Sequence, residues 1–146
     1  MPKLNSDLKL TGHLTVKING ETVQEVPNLV VTDGKEYAIS RMKDTSQGAM
    51  SHMGIGTDAT ATADGQTALL GQVARVPLTS TQVSGKSITY VATFGENKPA
   101  SLAALNEAGI FNASSNGTML CRTKFAGVVN KDASDTMTIS WTITCS

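Results

Sequence analysis

The chain has 146 residues, with 12 Lys and Arg against 12 Asp and Glu, so its formal net charge is zero. A neutral chain gives no electrostatic footprint for nucleic acid or an anionic membrane, and this length suits one domain whose core needs no disulfide or metal staple. Only 16% of the residues are charged while Thr, Ser, Ala and Gly abound, a composition that tolerates close association and points toward assembly.

The opening MPKLNSDLKL lacks the apolar core of a secretory signal, and no run of about 18 apolar residues spans a bilayer, so the chain is expected to be made and kept in a cytosol. Residues 1–7 read as a flexible arm and residues 8–146 as a single β-sandwich domain. Strand one follows the arm: Leu8, Leu10, Gly12, Leu14, Val16 and Ile18 alternate with Lys9, Thr11, His13, Thr15 and Lys17. Asn19-Gly20 supplies the positive-φ pair of a tight hairpin. In the returning ETVQEVPNLVV the alternation slips near Glu25 and Val26, and Pro27 cannot donate to a ladder, which predicts a bulge or an edge there.

Asp33 with Glu36 has the form of a capping box, and Tyr37, Ala38, Arg41 and Met42 stand at helical spacing, which predicts one short helix near residues 34–43. A short strand, MSHMGIG, and a polar loop, TDATATADGQT, come next. VARVPLTSTQV and SITYVATF, separated by Ser84-Gly85-Lys86, form a hairpin with Ile88, Tyr90, Ala92 and Phe94 on one face. LAALNEAGIFN and GTMLCRTKFAGVV form another about Asn116-Gly117. In the last strand Met137, Ile139, Trp141, Ile143 and Cys145 alternate with Thr136, Thr138, Ser140, Thr142 and Thr144. About eight antiparallel strands and one helix predict an all-β sandwich of jelly-roll or Greek-key-like design.

Few residues arrange themselves for chemistry. Gly54 to Ala59, GIGTDA, has the letters of a dinucleotide loop but no helix behind it to hold a phosphate, and Asp58 and Asp64 lack the alternating oxygens of a calcium loop. His13 and His52 have no partner in any catalytic motif. Cys121 and Cys145 sit in apolar alternation without metal-ligand spacing and read as reduced core thiols. No catalytic, cofactor or metal residue is therefore assigned. Glu107, in NEAGIF, and Arg122, in MLCRTKF, are each acidic or basic among apolar neighbours. Alternation groups Glu107 with Leu105, Gly109 and Phe111, and Arg122 with Leu120 and Lys124, opposite Met119 and Cys121, which predicts that the two point to different faces. An isolated buried carboxylate is costly, so the pair is expected to be a structural one, with Arg75 and Arg41 as other candidate partners for Glu107.

The stretches LTGHLTVKI, PNLVVTDGKEYAISRM, SHMGIGTD, NEAGIFNA, GTMLCRTKF and TISWTIT together resemble small structural proteins of tailed-bacteriophage particles. The resemblance implies a non-enzymatic virion component, assembled in the host bacterial cytoplasm. The expected role is a capsid decoration, or cement, protein that clamps neighbouring subunits of the major capsid protein and is itself a homo-oligomer, a dimer or trimer. A tail-fibre or baseplate component is the alternative. Pro2, Lys3 and Leu4 in the arm, and Pro27, are the candidate partner contacts, because an extended arm can add a strand to a neighbour's sheet.

Overall fold

A computed structural model describes residues 9–146. The expected arm over residues 1–7, and with it Pro2, Lys3 and Leu4, lies outside the described residues. The elements are β1 (Leu10–Ile18), β2 (Glu21–Val30), α1 (Thr32–Ser40), β3 (His52–Gly56), β4 (Gln72–Pro77), β5 (Ser80–Ser84), β6 (Ser87–Phe94), β7 (Ala103–Phe111), β8 (Met119–Lys131) and β9 (Met137–Cys145). The fold is thus all-β with one short helix, as the alternation predicts.

Among the described residues nine strands form where about eight were expected, because VARVPLTSTQV is divided. Pro77 ends β4, then Leu78 N–H donates to Ser51 O and Thr79 N–H to Val91 O, so the chain crosses from beside β3 to beside β6. All nine strands belong to one antiparallel sheet in the order β4-β3-β7-β8-β2-β1-β9-β6-β5. The sheet curls into a half-barrel whose two halves face each other, and β4 comes against β6 across the opening. The sandwich-like double layer is thus made by a single sheet. Hairpins β1-β2, β3-β4, β5-β6 and β7-β8 are the local units, and the links β4-β5, β6-β7 and β8-β9 pass between halves.

β2 joins the two halves. Its first part pairs with β1, from Ile18↔Glu21 to Gly12↔Asn28, and only Leu29 and Val30 pair with β8. Strands that change layers turn such corners at bends, and Pro27, with no N–H to offer a ladder, stands beside this one. β2 is therefore interior to the sheet order, and the expected edge at Pro27 is instead a gap in the β2-β8 ladder. The register slip falls between Val16 and Lys17, which face Gln24 and Thr22, so β2 does carry a bulge, with Val23, just ahead of Glu25, as the extra residue. Across the gap the Gln24 side chain replaces a peptide group: its Nε2 donates to Gly127 O, and its Oε1 accepts from Ala126 N–H at 3.0 Å.

The core lies inside the curl. Rows of paired residues run across three strands, Leu14-Trp141-Tyr90, Val16-Ile139-Ala92 and Ile18-Met137-Phe94; all but Ile18 are buried. Opposite them pack Met53, Ile55, Leu105, Ala108, Ile110, Cys121 and Phe125. Trp141 Nε1 donates to Asn28 Oδ1 at 2.9 Å, which satisfies the polar end of a fully buried indole. Gly12 makes room for this, since a Cβ there would overlap the Asn28 amide.

α1 begins two residues earlier than expected. Val31 is its N-cap, with no side-chain cap, and Thr32 N–H is satisfied by Asp64 O at 2.8 Å. A loop carbonyl thus takes over part of the role that Asp33 was expected to play, and Asp33 lies in the first turn. Gly34 lets the helix lie directly on Leu120 O, where a Cβ would collide with the carbonyl.

Candidate functional site

The face of β3, β7 and β8 turned away from the core carries most of the unusual chemistry. Gly54 pairs with Gly109 and Gly56 with Glu107, while Gly109 pairs with Arg122. Directly paired residues project from the same face, so Glu107 and Arg122 are diagonal neighbours on one surface. They share a face, contrary to the alternation, because β7 and β8 are out of register between Leu105 and Glu107 and again between Ile110 and Phe111. The first irregularity turns Glu107 away from the face of Leu105, and the second separates Arg122 from Leu120.

Both side chains are fully buried, and Arg122 Nε donates to Glu107 Oε1 at 3.0 Å. The loop from Thr57 to Gly71, between β3 and β4, covers them and supplies nearly all remaining partners. Oε1 also accepts from Leu70 N–H at 3.0 Å, and Oε2 accepts from Gly71 N–H at 2.6 Å and Asp58 N–H at 3.3 Å. Arg122 Nη1 donates to Thr60 O at 2.8 Å and Gln66 Oε1 at 3.4 Å. Asp58 Oδ1 lies 3.8 Å from Arg122 Nη2 and accepts from Thr60 N–H at 2.8 Å. That Thr60 hydrogen bonding is the main reason the Asp58 carboxyl stays below its usual range. Arg122 Nη2 has no hydrogen-bond partner among the described residues.

The glycines belong to this arrangement. A Cβ on Gly56 would collide with Glu107 Oε2 and meet Gly71 O, and one on Gly54 would press on Leu69 and Phe111. Leu69 joins Val31, Phe111 and Met119 in a second apolar cluster. The GIG letters therefore mark a surface that a folded-back loop must approach closely. Here a carboxylate with four donors, sealed from solvent, fastens a loop; a general base would need to reach a substrate proton.

The other arginines act elsewhere. Arg75 stacks over Phe111 with its guanidinium 3.5 Å from the ring centre, and its Nη1 donates to Ala113 O and Asn116 O, gripping the β7-β8 turn. Arg41 Nη1 donates to Gln47 O at 2.6 Å. His52 Nδ1 is 2.7 Å from Ser51 Oγ, and His13 lies on the solvent side of β1 between Pro27 and Thr142. Both cysteines are free thiols, Cys121 in the core as expected, whereas Cys145 at the end of β9 is partly exposed. No group of three or more His, Cys, Asp or Glu with metal-binding geometry occurs among the described residues. Lys131 was missed by sequence reasoning: it is buried at the end of β8, with Nζ donating to Gly95 O at 3.0 Å. Burial holds its ammonium below the usual lysine range. A lysine in a strand-end NKD sequence gives no signal of such burial.

Two surface regions are candidates for partners. Pro27 lines a groove of about 440 Å3 with Val26, Asn28, Leu29, Thr62 and Lys124, at the ladder gap, and its carbonyl accepts from Thr123 Oγ1 at 3.0 Å. The second region is the solvent side of β5, β6 and β9. It carries Ser80, Gln82 and Ser84; Ser87, Thr89, Val91 and Thr93; and Thr138, Ser140, Thr142 and Thr144. None is charged, and their hydroxyls pair across strands, Ser87 with Thr144 at 2.8 Å and Thr89 with Thr142 at 2.9 Å. Charge returns at the neighbouring strands, with Lys17 beside Thr138 and Glu25 opposite Thr15.

Comparisons with protein families, with curated proteins and with solved structures give no match to this chain.

Proposed function

We propose that the chain is a non-enzymatic structural protein of a tailed-bacteriophage virion, a decoration protein that clamps neighbouring major capsid subunits and stabilises the mature head. The observation that carries the reading is the uncharged Ser and Thr face of β5, β6 and β9. A surface built for solubility mixes charges at roughly 25–35% of its positions, and a three-strand face without one suits close docking on a protein lattice. The sequence resemblance to phage structural proteins supports the same reading. Binding only the expanded lattice stabilises it by mass action, and many copies multiply the effect.

Two measurements test this on the particle of the encoding phage. Copy number should be comparable with that of the lattice subunits, and expanded heads that lack the protein should bind it and gain resistance to heat. Since the face is uncharged, binding should weaken only modestly from low to high salt. A protein present in tens of copies or fewer, with bare heads equally robust, would place it in a tail fibre or baseplate and overturn the decoration role.

A further inference from the structure

The two edges of the sheet are protected to different degrees. β4, at one end, has a register shift against β3 between Ile55 and Gly56, carries Arg75, and ends in Pro77. Bulges, charges and prolines are the devices by which edge strands avoid pairing with other chains. β5, at the other end, has none of them. Its sequence STQVS contains no charge and no proline, its pairing with β6 runs from Ser80↔Val91 to Ser84↔Ser87 without a shift, and all five residues are exposed.

The register also shows which backbone groups β5 leaves free. Ser84 and Ser87 close a two-residue turn at Gly85-Lys86, with Gly85 at φ 57, and residues that close such a turn exchange both backbone hydrogen bonds. Ser84, Gln82 and Ser80 therefore direct N–H and C=O toward β6, and Thr81 and Val83 direct theirs away from the sheet. These two residues stand symmetrically about Gln82.

We propose that β5 is the seam at which two copies of this chain join their sheets, antiparallel about a two-fold axis through Gln82. In that register Thr81 of each copy lies opposite Val83 of the other, and each such pair exchanges two N–H to O=C bonds. All four outward groups of each strand are thereby used. A second copy is the occupant the edge favours: its donor and acceptor row matches itself under a two-fold rotation, and two strands without charge meet with no like-charge repulsion. The joined sheet would extend the uncharged Ser and Thr face across both copies.

The test uses the whole chain. In a Cys145→Ser background, Gln82→Cys should form a reducible disulfide dimer on air oxidation, because the two Gln82 positions face each other at a Cα separation within the disulfide range of about 4.4–6.8 Å. Ser80→Cys or Ser84→Cys alone should not, whereas a mixture of those two chains should crosslink. By sedimentation equilibrium the unmodified chain should associate to a dimer. Val83→Pro deletes one outward donor per copy and should weaken association by on the order of tenfold or more. Val83→Lys, at a residue 69% exposed, should do likewise while circular dichroism stays unchanged and the melting temperature matches that of the unmodified chain at dilutions where both are monomeric. A chain that remains monomeric, association that both Val83 variants leave intact, or Gln82→Cys chains that do not crosslink would each overturn the proposal.

Discussion

Replacing Glu107 by Ala should be among the more damaging single changes in this protein. The carboxylate is fully buried, and so is the Arg122 guanidinium that faces it at 3.0 Å. Removing one partner of a buried pair strands the other charge, at a cost of roughly 3–5 kcal/mol. The backbone N–H groups of Leu70, Gly71 and Asp58 also lose their acceptor, but they belong to a surface loop that can open and hydrate them. Asp58, at 3.8 Å from Nη2, gives Arg122 a partial substitute. Both effects keep the expected loss near about 3 kcal/mol, a large fraction of a typical total of roughly 5–15 kcal/mol. Urea melts of the variant give the loss directly, and limited proteolysis should show earlier cleavage between Thr57 and Gly71 than elsewhere. A loss within about 0.5 kcal/mol, the range of ordinary surface substitutions, with unchanged cleavage, would refute the fastening role.

Gly56→Ala places a Cβ against Glu107 Oε2 and should destabilise by about 1–3 kcal/mol through overpacking, with the same early cleavage of the loop; a neutral melt would contradict the close approach. Trp141→Ala should cost roughly 3–5 kcal/mol, and native Trp141 emission should be blue-shifted and resist iodide; ready quenching would contradict its burial. Burial pushes the Cys121 thiol well up, so the folded thiol stays neutral while the unfolded one ionises above about pH 8.5. This contribution is complete below that pH and is lost as pH rises beyond it, since the unfolded state then releases a proton the folded state keeps. Tyr90, also raised by burial, acts in the same direction at higher pH, and Lys131, lowered by burial, in the opposite one. Both remain in Cys121→Ala, so that variant should lose stability less steeply than the unmodified chain in urea melts from about pH 8.5 to 10; equal slopes would contradict the account.

Alternation carried the sequence reading furthest where strands lie between one apolar and one wet face. Trp141, with Ile139 and Met137, was legible because β9 is regular from end to end. β7 and β8 were not, because from Glu107 to Phe111 and from Met119 to Thr123 they are buried on both faces and they shift twice in register, so period two cannot say which way Glu107 or Arg122 points. The acid-base pair stood out as charge among apolar neighbours, whereas its loop partners are mostly backbone groups, which no side-chain pattern encodes. The division of VARVPLTSTQV into β4 and β5 was hidden for a related reason: Pro77 signals a break, but only the curl of the sheet decides that the chain resumes at its far edge.

The pairing of β1 with β9 has a consequence for how the molecule comes into being. Lys9 and Ser146 exchange backbone hydrogen bonds at 3.0 and 2.9 Å, and the ladder from Leu10↔Cys145 to Ile18↔Met137 joins the first described strand to the last. β9 also separates β1 from the β5-β6 hairpin. Until β9 has been made, the Leu14, Val16 and Ile18 row of β1 therefore lacks the Trp141, Ile139 and Met137 that stand beside it in the folded sheet. Contacts this remote in sequence make closure slow, and a chain without β9 leaves that row more exposed than the folded one does. Trp141 lies within this final insertion, between Leu14 and Tyr90, so its fluorescence reports the step at which the curl closes.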